Sequence, residues 1–355
     1  MLSPLVMPTA PPIAVLGAGS WGTALAVSLA RAGHPARLWA RREEAAAEIA
    51  RTRRNEAYLP GADVPRTVEV SSDLEAVVGG AEAWVVAVPS QSVRAVVAPL
   101  AGLVESKTVV VSVAKGIETD TLLTTSAVLR DVLPAADAGR VGVLYGPSHA
   151  EEVAQERPTS VVAALPDADA AAFVQDLFMT PSLRVYTNPD VVGVEVGGSV
   201  KNVMAVAAGM SDGLDLGDNA KAALVTRGLA EITRLGLALG ADAHTFAGLA
   251  GLGDLVVTCF SRHSRNRAFG ERVGRGETRA EALGHSTMVV EGVQTTASVR
   301  ALARRHGVEM PITEAVWSIL FDGLAPRDAV EALMTRSAAP ETDPARGPAF
   351  DGTAA

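Results

Sequence analysis

A chain of 355 residues exceeds what one hydrophobic core usually covers and points to about two domains. Its 48% hydrophobic and 20% charged residues exclude intrinsic disorder. A net charge of −9 excludes a general nucleic-acid binder, because affinity for a phosphate backbone is mostly basic charge.

Residues 1–12 carry prolines and no Lys or Arg, so they read as a loose tail rather than a secretory signal. From residue 13 to 189, Val-rich runs alternate with Ala-rich helical stretches: Ile13–Leu16, Arg37–Trp39, Val68–Val70, Trp84–Val88, Thr108–Val113, Val141–Leu144 and Ser160–Ala164. Apolar runs bounded by helices predict a mainly parallel sheet covered on both faces, the Rossmann-like doubly wound α/β class. Apolar runs such as Ala83–Val88 and Val109–Val113 fall short of the ~18 to 20 residues of a membrane helix, so no membrane span is expected.

The turn Thr187-Asn188-Pro189-Asp190 marks the boundary and supplies a cap for the helix that follows. Strand signals stop beyond it. Leu224, Gly228, Ile232, Leu235 and Leu239 recur at helical spacing, with Asp218 or Asn219 as start and Gly240 as stop, so residues 190–335 read as an all-helical C-terminal domain. Residues 336–355, rich in Ala, Pro, Asp and Gly, read as a disordered tail. A single cysteine, Cys259, excludes an internal disulfide and suits the cytoplasm. No metal site is expected.

Gly17-Ala18-Gly19-Ser20-Trp21-Gly22 follows the first strand and opens a helix, the context in which G-x-G-x-x-G binds a dinucleotide. Its glycines let a pyrophosphate approach the helix N-terminus. The second strand ends in Arg41 and Arg42, where an NAD-specific enzyme usually places an acid. Two guanidiniums can clamp a 2′-phosphate, so the cofactor is NAD(P)H with NADPH accepted. A solvated pair balanced by Glu43 and Glu44 is the plain alternative.

Only four of the 31 basic residues are lysines: Lys107, Lys115, Lys201 and Lys221. Arg cannot readily donate a proton, so positions that kept Lys invite inspection, with Lys107 and Lys221 read as harmless. Lys115 follows the strand at 109–113, at the edge where open sheets put their ligands; an exposed loop lysine is its alternative. Gly197-Gly198-Ser199-Val200-Lys201-Asn202 opens the helical region, its glycines giving access to the next helix. Hydride transfer to a ketone needs a proton for the alkoxide, and a lysine with a pKa lowered by burial can supply it. A lysine snorkelling from its helix is the alternative. Asp254, in Gly251-Leu252-Gly253-Asp254-Leu255, can orient Lys201 or accept from a substrate hydroxyl. Ser264, Arg265 and Asn266 suit a phosphate monoester, although an Arg-rich loop is often only a solvated surface.

These blocks, with Ala114-Lys115-Gly116 and Gly146-Pro147-Ser148-His149-Ala150-Glu151-Glu152-Val153-Ala154, together resemble bacterial NAD(P)-dependent glycerol-3-phosphate dehydrogenase. They occur in family order from residue 13 to 335. The resemblance implies interconversion of dihydroxyacetone phosphate and sn-glycerol 3-phosphate, feeding glycerophospholipid synthesis. It implies Lys201 as proton donor and acceptor, aided by Asp254 and Lys115. Substrate contacts are implied for Lys115, Gly146, Ser148, Lys201, Asn202, Asp254, Ser264, Arg265 and Asn266. Cofactor contacts are implied for Gly17, Gly19, Ser20, Trp21, Gly22, Arg41, Arg42, Lys115, Ala150, Arg265, Val289 and Glu291. His149 departs from the Phe of many members. The expected partner is a small phosphorylated triose, and a homodimer is compatible with the reading. Two other readings remain at this stage: a β-hydroxyacid dehydrogenase of related architecture, and a catalytically silent NADP-binding regulator.

Overall fold

The computed structural model of the chain describes residues 10–286, 288–338 and 340–341. Of the tails expected at 1–12 and 336–355, residues 1–9, 339 and 342–355 lie outside the described residues. Contacts divide the chain into two compact units. One takes the chain up to Ala114 with Ser126–Leu144 and Ser148–Pro189; the other takes Lys115–Thr125, Tyr145–Pro147 and the chain from Asp190 onward.

The first unit is built on the strands β1 (Ile13–Leu16), β2 (Ala36–Trp39), β3 (Arg54–Asn55), β4 (Leu59–Asp63), β5 (Val68–Ser71), β6 (Ala83–Val86), β7 (Val109–Ser112), β8 (Val141–Tyr145), β9 (Thr159–Ala164) and β10 (Leu183–Asn188). Eight of them form one sheet in the order β10-β9-β8-β7-β6-β1-β2-β5. Every residue of β1, β6, β7 and β8 is buried, on both faces of the pleat, so helices cover the sheet on both sides. β1 pairs in parallel with β2 on one side and β6 on the other, so the winding reverses at β1. The doubly wound expectation therefore holds, with the reversal at the strand that the glycine turn follows. Helix α1 (Ser20–Arg31) leaves that turn, and α2 (Glu43–Thr52) follows β2.

Three strands escaped the sequence reading. β3 and β4 form a separate antiparallel pair around exposed, charged residues. β10 is a sheet-edge strand whose Leu183 and Val185 are buried while Arg184 and Tyr186 are exposed, so it lacks a continuous apolar run. β6 also ends at Val86, before the expected Val88.

Among the described residues the chain after Asn188 has no strand. Asp190 caps the long helix α3 (Val191–Gly213), accepting from the Gly193 N–H at 2.8 Å. Almost all of α3 is buried, as a helix apolar all round must be. Its length and mean hydropathy of 1.3 would also suit a membrane, but 94% of that window is enclosed within the structure, as the core of this unit. A second stretch of similar hydropathy, Ala243–Phe260, is broken at Ala247 and Gly248. Around α3 pack α4 (Gly217–Ala238), α5 (Asp254–Phe260), α6 (Arg265–Gly274) and α7 (Glu291–Arg305). A π-helical turn, Leu249–Gly253, leads into α5.

Glycines spaced four apart bring α3 and α6 into backbone contact. A Cβ on Gly209 would lie 2.0 Å from the Arg267 carbonyl oxygen, and one on Gly270 would lie 2.0 Å from that of Val206. Gly213 and Gly274 meet the opposite backbone in the same way. This approach fixes the first turn of α6 against α3. Gly270→Ala should therefore cost about 1–3 kcal/mol of stability through forced separation of the helices. Gly284→Ala, whose added methyl meets open space, should change stability by less than about 1 kcal/mol. Urea denaturation of the two variants checks this, and equal midpoints would remove the close-packing constraint.

Candidate active site

In the first unit, the turn after β1 has the shape that a dinucleotide needs. Gly17 has φ +126°, and a Cβ on it would fall 2.6 Å from the Ala87 carbonyl oxygen. A Cβ on Gly22 would lie 1.9 Å from the Gly17 oxygen, so the helix can start this close only with glycine there. Around Gly19 an added Cβ would meet nothing within 4 Å. The first turn of α1 has no side-chain cap and no acid, which leaves its N–H groups and dipole directed at open space. These residues fit the diphosphate of NAD(P).

Ser20 and Trp21 are half-buried in that first turn. Arg41 and Arg42 are exposed at the end of β2, and among the described residues neither pairs with Glu43 or Glu44. Ser148 is half-buried, and Ala150 is buried at the start of the short helix Ala150–Ala154, whose N-cap position is His149.

The second unit gathers the ammonium groups. Lys115 enters it just after β7, and Gly146 just after β8 at φ +144°. The Lys115 Nζ donates to the Gly146 carbonyl oxygen at 2.8 Å and to Asp254 Oδ2 at 2.8 Å. The Lys201 Nζ, from mid-α3, donates to Asp254 Oδ1 and, at 2.7 Å, to Thr258 Oγ1. Asp254, at the first turn of α5 and 1% exposed, thus holds two lysines on its two oxygens. The Thr258 hydroxyl, one turn on, donates to the Asp254 carbonyl oxygen at 2.6 Å and so presents a lone pair to Lys201. Burial pushes the Lys201 ammonium down to about 7; the Asp254 carboxylate opposes this shift, and the neighbouring Lys115 charge adds to it.

The predicted phosphate group is only partly convergent. Ser264 caps α6 by accepting from the Arg267 N–H at 3.2 Å. Arg265 is exposed and donates to the Val289 carbonyl oxygen at 3.1 Å, which joins two predicted cofactor residues. Asn266 and Asn202 bind each other, Nδ2 to Oδ1 at 2.9 Å. Val289 is exposed, and Glu291 opens α7 half-buried.

Gly197 and Gly198, expected to begin the helical region, lie within α3, which Asp190 has already capped. A Cβ on Gly197 would fall 2.7 Å from the Ala250 carbonyl oxygen, and one on Gly198 2.5 Å from the Tyr145 ring. That ring is fully buried, 5.7 Å from the Lys115 ammonium, and its hydroxyl lies 3.2 Å from Thr125, which donates to Glu195. Burial first, and the Glu195 charge second, push the Tyr145 phenol well above its usual range. Sequence reasoning passed over Tyr145 and left Thr258 without a role. The four-residue step from Asp254 to Thr258 on one helix was the available signal for the second. Lys221 is no harmless surface lysine: it is 7% exposed, and both oxygens of Asp212 accept from it at 2.8 Å. Cys259 is buried, which pushes its thiol up to about 12 and makes it unreactive.

Comparison with known proteins agrees with this geometry. A family model described as the NAD-dependent glycerol-3-phosphate dehydrogenase N-terminus matches residues 12–171, and one for the C-terminus matches residues 190–331. An NAD(P)+ glycerol-3-phosphate dehydrogenase of Salinibacter ruber is 59% identical over 326 residues, 92% of this chain and 95% of its own. One from Chlorobium luteolum is 53% identical over 331 residues, 93% of this chain and 99% of its own. The crystal structure of glycerol-3-phosphate dehydrogenase from Coxiella burnetii is 41% identical, covers 93% of this chain and 100% of its own, and superposes with a TM-score of 0.87. Matched in both units by relatives at this identity, the chain belongs to the NAD(P)-dependent glycerol-3-phosphate dehydrogenase family.

Proposed function

We propose that Lys201 is the proton donor and acceptor in an NAD(P)H-dependent interconversion of dihydroxyacetone phosphate and sn-glycerol 3-phosphate. The observation that carries this reading is a buried ammonium, poised at about 7, on a carboxylate that it shares with a second ammonium. Family membership favours the phosphorylated triose over the hydroxyacid substrate and over a silent NADP-binding regulator. The cofactor is NAD(P)H, which supplies the hydride that reaches C2 of the substrate.

An ammonium has three N–H groups. Asp254 and Thr258 take two of those on Lys201, which leaves the third for the oxygen at C2. In reduction that proton passes to the developing alkoxide. In oxidation the neutral amine takes it from the alcohol. Lys115 spends two donors on Asp254 and Gly146, and its charge adds to the field that stabilises the oxyanion. Asp254 orients both. Arg265 and the first turn of α6, with the Ser264 cap, bind the phosphate, whose remote binding energy aligns the reacting carbon. Arg41 and Arg42 take the 2′-phosphate when NADPH is used. Ser148, Ala150, Val289 and Glu291 complete the contacts. The reading extends to a cytoplasmic enzyme that supplies glycerol 3-phosphate to lipid synthesis, and takes a homodimer as the assembly to test by sedimentation.

Lys201→Met should lower turnover in both directions by about 10²- to 10⁴-fold while NADH still binds. Fluorescence titration of NADH alongside turnover checks this, and full activity in the variant would sink the assignment. The pH dependence follows from the lowered value. The donor must carry its proton for reduction, so reduction should fall as pH rises through about 7, and oxidation should rise over the same range. Profiles without opposite slopes would exclude Lys201 as the shuttle.

Arg41→Asp with Arg42→Ala should raise KM for NADPH at least about tenfold more than KM for NADH, the ordinary worth of one charge-assisted contact. Equal loss for both cofactors would refute the 2′-phosphate role. Arg265→Ala should raise KM for dihydroxyacetone phosphate by about tenfold or more, and an unaltered KM would remove Arg265 from the phosphate anchor.

A further inference from the structure

Besides its two oxygen partners, the Lys115 ammonium meets an aromatic ring. It lies over Tyr145, 5.7 Å from the ring centroid, while the Gly146 carbonyl oxygen and Asp254 Oδ2 accept from it at 2.8 Å each. A ring face attracts a cation within about 6 Å of its centre, most strongly where water is kept out. Tyr145 is fully buried, and the Lys115 side chain is 16% exposed. Lys115, Thr125, Tyr145 and Glu195 all belong to the helical unit.

The ring is confined on its flank and at its tip. Gly198 of α3 leaves it room, since a Cβ there would lie 2.5 Å from Tyr145 Cδ2 and 3.1 Å from Cε2. At the tip the hydroxyl lies 3.2 Å from Thr125 Oγ1, which donates to Glu195 Oε1 at 3.0 Å. A buried phenol needs such a partner, and Thr125 and Glu195 are themselves buried. Burial also keeps the phenol protonated, so Lys115 meets a neutral ring face and not a phenolate.

We propose that Tyr145 is a positioning residue for hydride transfer: its ring is the platform that holds the Lys115 ammonium between Gly146 and Asp254, while its hydroxyl contributes only stability. The two halves of the side chain thus have separable duties. An aliphatic residue at 145 would fill part of the space without the negative ring face. Lys115 would then sample more positions, and its charge would be worse aimed at the developing oxyanion.

The role rests on the reading of Lys115 as a working ammonium, and a double-mutant cycle between the two residues tests it. Tyr145→Leu should lower kcat/KM for dihydroxyacetone phosphate by about 5- to 30-fold, the ordinary worth of a partly desolvated cation–π contact. Tyr145→Met fills the same space with a flexible chain; it should show the same loss and replaces the leucine variant if that one does not fold. Tyr145→Phe keeps the ring and should stay within about threefold of wild type, while melting a few degrees lower for want of the Thr125 hydrogen bond. In a Lys115→Met background, removing the ring should change kcat/KM by less than about twofold, because no ammonium is left for it to hold. Undiminished losses in that background, or a phenylalanine variant as poor as the leucine one, would overturn the platform. Lys115→Met alone separates the two readings. If it loses about tenfold or more while the losses multiply, only the Tyr145 role fails; if it is fully active, the role of Lys115 in catalysis fails and takes that of Tyr145 with it.

Discussion

The second unit is organised by one buried carboxylate. Asp254, 1% exposed, holds Lys201 on one oxygen and Lys115 on the other. Burying a carboxylate costs several kcal/mol even after relaxation, and a fully charged triad carries a net positive charge that the interior resists. Its least costly adjustment is loss of one proton. Burial lowers the Lys201 ammonium to about 7, its side chain being 6% exposed against 16% for that of Lys115. The lowered Lys201 value follows from charge arithmetic in a dry place. A lone buried lysine would be neutral at working pH, and a lysine on its own private carboxylate would hold its proton.

That arithmetic works only if atoms from distant stretches of sequence arrive together, and the fold uses two devices to achieve it. Residues leaving β7 and β8 join the helical unit as short segments that contribute Lys115 and Gly146. Within that unit Gly146 and Asp254 hold the Lys115 ammonium, at 2.8 Å each. The helical side is fixed by backbone contact between α3 and α6, where glycines on both helices replace side chains that would add freedom. Lys201 and Asn202 on one helix, and Arg265 and Asn266 on the other, inherit a spacing that flexible side chains between the helices would not hold.

Much of this was legible in sequence, for physical reasons that differ by element. Strands such as Ile13–Leu16, buried on both faces, are continuous apolar runs and announce themselves. The glycine turn is visible because backbone geometry there admits few other residues. β10 was missed because an edge strand alternates, and a short alternation in Leu183–Asn188 looks like a loop. Lys201 and Asp254 stood out only as members of motifs. Their contact, across 53 residues, has no local signature. Tyr145 and its hydrogen bond to Thr125 were invisible for the same reason: the ring matters through the space that Gly198 leaves for it. The Ser264 group was read for its charge, whereas half of its work is to start a helix, a role that a serine before Arg265 also announces by position.

The distribution of lysine ties composition to site geometry. A chain that uses arginine for most basic positions keeps lysine at four, and three of these sit in buried or half-buried carboxylate pairs. Lys107 alone lies on the surface, beside Glu105, where the two cations would be interchangeable. At Lys201 burial brings the ammonium down to about 7, a value that a guanidinium could not reach. At Lys115 a planar fork could not place one compact charge between a carbonyl and a carboxylate oxygen on a packed tyrosine face. At Lys221 the ammonium bridges both oxygens of Asp212 and sits 4.8 Å from the Phe260 ring centre, while Arg267 approaches the same carboxylate at 2.6 Å. The rarity of lysine thus reports on site geometry: three of the four hold a small charge enclosed beside a carboxylate.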